Sequence, residues 1–364
     1  MVAAEWKVNK QAYVIHRIPV PSPHDLAPYD LLIKIAVASF CHTDMMLLDG
    51  DMEPTPSGFS GGHEPTGTVV AIGSAVKDFR PGDRVSSLGW YGLCGKCDEC
   101  ESGIADGIYC REKGFLGGSL PGAFCEYMRV DSRQSAIIPD VMSFQTAAPL
   151  TCAGATAFGA LKKAVEGLKQ GGTVALFGAA GGVGHLGLLI ALAMGGFKVI
   201  AVEARDSGLE FCRKAGAHAT MDARVPFDRF TSEAQELTAL KLGFDRCIVF
   251  SDHDSALPLA MASTRPHGLV VQVGQPSKDL HFYFKHLVLR DVRLIGTMLG
   301  NRSELRELLQ FVSDKRIPVA VTPSHGVETL NEVLSVARGG DFLGKLVVVV
   351  DAEAEEDDKY HGRK

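Results

Sequence analysis

Four cysteines stand within seventeen residues: Cys94, Cys97, Cys100 and Cys110, spaced C-x2-C-x2-C-x9-C. Spacings this short let thiolates converge on one ion, and a closed tetrahedron of sulfur is the coordination that a structural zinc takes. The lobe around them, about residues 90–112, is rich in glycine and has no helical apolar period, so a metal would supply order that a core cannot. An iron–sulfur cluster is the other ligand-based reading. Buried thiols unrelated to one another, or a redox pair, form a third.

A second set of donors is dispersed. Cys41-His42-Thr43-Asp44 follows an apolar run, His63-Glu64 follows Gly61-Gly62, and Cys152 lies in Pro149-Leu150-Thr151-Cys152-Ala153-Gly154. Two cysteines and one histidine make an open zinc site, whose fourth position is left to water or substrate. Spacing alone does not join these three. A histidine before a glutamate in a loop also suits a plain surface, and a cysteine among apolar neighbours also suits a core.

The third constellation is Phe177-Gly178-Ala179-Ala180-Gly181-Gly182-Val183-Gly184. An apolar run ends, glycines turn, and a helical stretch begins. This is a variant of G-x-G-x-x-G with an extra residue before the Gly181-Gly182 pair. Backbone amides at the helix start can meet a pyrophosphate, helped by the helix dipole. Glu203 stands 22 residues beyond Gly181. A carboxylate there can accept hydrogen bonds from ribose hydroxyls and repel a 2′-phosphate, which favours NAD over NADP. Arg205, which could attract a phosphate, stands against it.

These residues need elements to hold them. Short apolar runs broken by Pro and Asp at 13–20, 31–39 and 66–73 make the first part β-rich. From about residue 154 the texture changes. Strand candidates at 173–177, 198–203, 245–250, 268–273 and 292–296 alternate with helical stretches at 183–194 and 206–215. That alternation implies a parallel sheet covered on both faces. Helices at 303–313 and 328–338 and a strand at 345–350 close the chain, and nothing forces them into that sheet.

The 364 residues suit two domains rather than one core. A net charge of −6, with no basic block interleaved with aromatics, argues against nucleic acid as a partner. There is no run of about 18 apolar residues to span a membrane and no signal-type run near Met1. An intracellular, cytoplasmic protein is expected, and its nine cysteines then read as ligands or buried thiols rather than disulfides.

Taken together, Cys41-His42-Thr43-Asp44, Gly-Gly-His-Glu-Pro-Thr-Gly at 61–67, the four-cysteine lobe and Pro-Leu-Thr-Cys-Ala-Gly-Ala-Thr at 149–156 resemble the zinc-containing medium-chain alcohol dehydrogenases. The yeast-type enzymes are the most similar, and the likeness runs through nearly the whole chain. It implies an α/β protein: a Rossmann doubly wound parallel sheet over 154–291, inserted into a β-rich, GroES-like catalytic domain of 1–153 and 292–364. It implies two zinc ions per chain and NAD, with NADP less favoured. The reaction implied is reversible hydride transfer between an alcohol and an aldehyde or ketone, in a homodimer or homotetramer. The catalytic zinc would sit on Cys41, His63 and Cys152, with Glu64 as an occasional ligand, and the structural zinc on the four-cysteine lobe. Asp44 would orient His63, and Thr43 would hydrogen-bond the substrate oxygen and relay its proton. His42 would contact the pyrophosphate. Thr156, Val183 and Val273 would meet the nicotinamide, and Arg302 and Lys345 would reach the ribose or phosphates.

The sequence departs from the yeast-type pattern at three places. Met46 replaces a histidine that passes the proton to solvent, which a thioether cannot do. Met52 replaces a tryptophan of the substrate pocket, where Trp90 keeps an aromatic. A flexible methionine leaves room for a substrate bulkier than ethanol. Gly208 replaces a lysine that touches the ribose. Two rival readings follow: an NADPH-preferring reductase of bulky carbonyls or enals, and a non-catalytic protein that binds zinc and nucleotide.

Overall fold

The computed structural model describes residues 1–7, 12–52, 58–102, 107–340 and 342–354. The chain forms two compact units. The first comprises Met1–Ala155, Gly300–Arg316 and Ala320–Lys364, and the second Thr156–Leu299 and Ile317–Val319.

The first unit is built on a seven-stranded sheet. Along it run Val321–His325, Lys345–Val349, Asp30–Ser39, Glu64–Ile72, Arg84–Ser87 and Ser135–Ile137, and Tyr127–Asp131 also pairs with Asp30–Ser39. Asp30–Ser39 is the central member. Its run of Leu, Ile, Val and Ala is buried along nearly its whole length, as a strand covered on both faces must be. Antiparallel pairing sets Ser39 opposite both Glu64 and Val347. The end of one strand and the starts of two others therefore meet at one point of the sheet. Behind it, Phe124 packs edge-on to Tyr13 at 5.5 Å and stacks with Phe40 at 6.1 Å. A small ribbon pairs Trp90–Tyr91 with Gly114–Phe115. All four clustered cysteines lie in the chain between its two strands.

The second unit is a six-stranded sheet, parallel throughout, ordered Ala219–Asp222, Lys198–Glu203, Thr173–Phe177, Phe244–Val249, Thr264–Gln272, Arg293–Gly296. The direction of winding reverses beside Thr173–Phe177. In such a sheet the crevice at the carboxyl ends of the strands at that switch point is where a dinucleotide binds. Helices Gly184–Met194 and Asp206–Lys214 follow the first two strands in sequence.

The structure differs from the sequence reading at several places. Arg293–Gly296 hydrogen-bonds to Thr264–Gln272 as the sixth parallel strand, so the second crossing between units falls after Leu299, not at 291/292. Among the strands outside that reading are Ala219–Asp222 and Val321–His325. Each lies at a sheet edge and carries no continuous apolar run.

Candidate functional site

The first unit holds both groups of metal donors, and the second holds the glycine turn. In the first, Cys41 leaves the central strand and N-caps the helix His42–Asp49. Asp44, three residues on, accepts a hydrogen bond from the Cys41 backbone amide at 2.9 Å through Oδ2. Its Oδ1 lies 3.2 Å from His63 Nδ1. One buried carboxylate thus closes the helix and fixes the imidazole. Nδ1 donates to Asp44, and Nε2 on the far side of the ring is buried with no hydrogen-bond partner in the protein. Gly62, at φ +86°, makes the turn that delivers His63. A β-carbon there would lie 2.9 Å from the Phe124 ring, so only glycine fits.

Cys152 arrives from the 3-10 turn Ala148–Thr151, just ahead of the helix Ala153–Val165. The ligand atoms of Cys41, His63, Glu64 and Cys152 all lie within 4.8 Å of one another. Thr43 Oγ1 is 3.8 Å from Cys41 Sγ. Glu64 is fully buried, accepting from the Ala153 amide at 3.1 Å and pairing with Lys345 Nζ at 2.7 Å. Lys345, which the family resemblance would have reach the ribose or phosphates, is a partner of Glu64 within the first unit. Its strand pairs with the central one at Val347 and Ser39, which sets it beside the metal donors. Arg302, assigned the same nucleotide role, donates to Ser135 O at 2.9 Å and pairs with Asp78 at 3.4 Å.

The electrostatics are those of a cation site. The hydrogen bond with Cys152 holds the Cys41 thiol well below its usual range. The same bond, together with burial, pushes Cys152 well up. Burial opposes charge on His63, but Asp44 and Cys41 outweigh it and raise its pKa well above normal. Burial raises Glu64 against the pull of Lys345. Burial also disfavours the Lys345 ammonium, yet Glu64 and Cys41 more than offset it. A low-dielectric pocket that favours one thiolate, with a buried imidazole whose Nε2 proton a cation would displace, fits a soft divalent ion.

The sulfurs of Cys94, Cys97, Cys100 and Cys110 also lie within 4.8 Å of one another, with Cys94 and Cys100 at 3.9 Å. Four thiolates on one zinc at about 2.3 Å stand roughly 3.8 Å apart. The spacing suits a single ion and is far too long for a disulfide. Burial pushes Cys100 up to about 12. Cys110 is lowered to about 7, because backbone amides of Cys94 and Glu112 outweigh burial. Trp90 carries Lys113 Nζ 4.5 Å from its ring centre, and Phe115 lies 5.1 Å away. Met46 and Met52 are half-buried, and His42 is exposed.

In the second unit, Gly178 turns the chain at φ +78°. Gly184 starts the helix so close to that turn that a β-carbon would lie 1.9 Å from Gly178 O. Gly181 and Gly182 lie between them, half-buried like Val183 and Val273. Val273 follows the strand Thr264–Gln272 and donates to Val249 O at 3.0 Å. Thr156 is half-buried on the helix Ala153–Val165. Glu203, 7% exposed, folds back under the turn. It accepts from Ala180 N at 3.1 Å and Ala204 N at 2.8 Å, with Arg205 Nε at 3.6 Å. A β-carbon on Gly208 would lie 2.5 Å from Glu203 Cγ. The missing lysine is thus matched by the stem of the glutamate.

Comparison with known proteins agrees with this geometry. Residues 27–140 match the family described as "Alcohol dehydrogenase GroES-like domain", and residues 182–314 match "Zinc-binding dehydrogenase". An alcohol dehydrogenase of Geobacillus stearothermophilus is 33% identical over 323 residues, which is 88% of this chain and 92% of that one. The chain belongs to the zinc-containing medium-chain alcohol dehydrogenases. The crystal structure of the alcohol dehydrogenase from Aeropyrum pernix superposes with a TM-score of 0.84 at 27% identity, covering 96% of this chain and all of that one. That of acetophenone reductase from Geotrichum candidum, in complex with NAD, does so with a TM-score of 0.82 at 25% identity, covering 96% of each. This dehydrogenase is accordingly a zinc-dependent oxidoreductase of alcohols and their carbonyl counterparts, working with a nicotinamide cofactor.

Proposed function

We propose that the dehydrogenase uses NAD(H), with its catalytic zinc on Cys41, His63 and Cys152 and a structural zinc on Cys94, Cys97, Cys100 and Cys110, and that it takes substrates bulkier than ethanol. His63 Nε2 carries the reading: it is buried and partnerless beside two cysteine sulfurs. Bound there, zinc supplies a Lewis acid that acidifies an alcohol oxygen and polarises a carbonyl.

The chain's own residues do the rest. Asp44 keeps His63 in the tautomer that exposes Nε2. Thr43, beside Cys41, accepts the alcohol proton at Oγ1 in oxidation and returns it in reduction. The neighbour at Met46 has no basic atom, so the proton continues through water or a ribose hydroxyl. Glu64 is held off the metal by Lys345 and Ala153. In the second unit Gly178, Gly181, Gly182, Val183 and Gly184 receive the pyrophosphate, and Thr156 and Val273 flank the nicotinamide. The Glu203 carboxylate, folded back onto the Ala180 and Ala204 amides, keeps its negative charge beneath the glycine turn, where it disfavours a 2′-phosphate on the adenosine ribose. Half-buried Met52, with Trp90, leaves a pocket that adapts to a larger group, and the Geotrichum relative's name points the same way.

The test is cofactor consumption across aldehydes and ketones of increasing size, with NADH and NADPH run in parallel. NADH is expected to be preferred, with bulky or aromatic carbonyls turned over well and Met52→Trp shifting preference to small aldehydes. Preference for NADPH, or no shift in Met52→Trp, would contradict the corresponding part.

The same reading includes assembly and setting. Tyr283, Phe284, Val288 and Leu289 are each more than half exposed. They precede Arg293–Gly296, the open edge of the parallel sheet. Exposed apolar residues ahead of an edge strand whose outer side is open suit a second copy of the chain. Sedimentation is expected to give a dimer or tetramer, and a monomer at micromolar concentration would refute it. Both clusters need free thiols, which a reducing cytoplasm preserves. No helix among the described residues is long and apolar enough to cross a membrane.

A further inference from the structure

We infer that Phe115 is a positioning residue for the catalytic metal centre, and that the ribbon bearing it couples the four-cysteine lobe to His63. The inference rests on the reading of His63 as a ligand. The Phe115 ring lies 5.1 Å from the His63 ring and 5.1 Å from that of Trp90, tilted 46° to each. These are attractive aromatic geometries. Phe115 and Trp90 face each other across the two-stranded ribbon, so backbone pairing fixes the contact.

The ring cannot readily move. A β-carbon on Gly118 would lie 2.3 Å from Phe115 Cδ1, and one on Gly89 would lie 3.1 Å from Phe115 Cε2 and 3.2 Å from His63 Cβ. The Phe115 amide donates to Ser119 Oγ at 2.9 Å. Glycines thus clear a slot in which the ring is wedged against the histidine.

This matters because of how an imidazole is held. Asp44 accepts one hydrogen bond, from Nδ1. One bond fixes a point on the ring but leaves the ring free to swing about it. A planar partner alongside removes that freedom and fixes the direction of the Nε2 lone pair. The wedge is also anchored in the lobe. Lys113 Nζ donates to Cys110 O at 3.2 Å and lies over Trp90. A continuous path of contacts therefore runs from Cys110 through Lys113, Trp90 and Phe115 to His63. Order imposed on the lobe by its metal is passed to the ligand of the other.

The test uses full-length holoprotein carrying zinc in the lobe and cobalt at the catalytic site. Phe115→Leu keeps apolar bulk and removes the planar face. Phe115→Tyr keeps the face. Phe115→Leu is expected to lose catalytic-site cobalt to a chelator about 10- to 100-fold faster, the scale for partners that orient a metal ligand. Its cobalt visible bands should shift, lobe zinc should remain at one per chain, and Phe115→Tyr should restore both readouts. Parent-like release and bands in Phe115→Leu would overturn the inference. So would failure of Phe115→Tyr to differ from Phe115→Leu, or loss of both metals together, which would make the ring a support of the lobe alone. His63→Ala, run alongside, separates the underlying reading: bands unchanged in that variant would mean that His63 is not a ligand at all.

Discussion

Replacing His63 with alanine is expected to lower kcat/KM for alcohol oxidation at least about a thousandfold while the chain stays folded. The size follows from what is removed. Lewis-acid stabilisation of developing charge amounts to several kcal/mol, and each 1.36 kcal/mol is a factor of ten. His63 offers the one nitrogen among the four donors. Two sulfurs and a lysine-paired carboxylate make a poor site for the same ion. The fold should survive, because His63 sits at the start of a strand whose register with Asp30–Ser39 is set along its whole length. Asp44 keeps its second role, closing the helix through the Cys41 amide. Steady-state rates with circular dichroism check this. Turnover within tenfold of the parent would show that the metal is held elsewhere.

Lys345→Met is expected to destabilise the metal-free protein by about 3–5 kcal/mol, the usual consequence of breaking a buried ion pair. The side chains of Lys345 and Glu64 are 4% and 0% exposed and 2.7 Å apart. Removing the ammonium leaves Glu64 charged in a low-dielectric site, or forces it to take a proton. Glu64→Gln combined with Lys345→Met should recover most of the loss, since a neutral amide can still accept from Ala153 N. The double-mutant cycle, read by chemical unfolding, gives the coupling directly. With zinc bound the cost should shrink, because Glu64 can turn to the ion. A change below about 0.5 kcal/mol in Lys345→Met, typical of a surface site, would show that the pair is not structural.

Much of this was written locally in the chain. The four-cysteine lobe is legible because its ligands are near neighbours in sequence and have no competing role. The glycine turn is legible because a buried strand precedes it and a helix follows. Glu203 is legible as a strand end, but its bond to Ala180 and its fit over Gly208 are not, since both depend on how a side chain folds back. The pairing of Lys345 is not legible for a different reason. Its partnership with Glu64 arises from three strands lying side by side in register through Ser39, and no local pattern reports a register between distant segments. Phe115 went unnoticed because it sits in a glycine-rich stretch, where an aromatic reads as incidental. The edge strands Ala219–Asp222 and Val321–His325 carry Thr, Asp, Pro, Ser and His, and such half-covered strands lack the apolar run that marks a central one.

Counting metal per chain, in the parent and in His63→Ala, tests the central claim most directly. Two zinc ions per parent chain are predicted, and one in the variant, held by the lobe and without turnover. A parent with a single zinc and full activity, or a variant that keeps two zinc ions and turns over normally, would contradict the account.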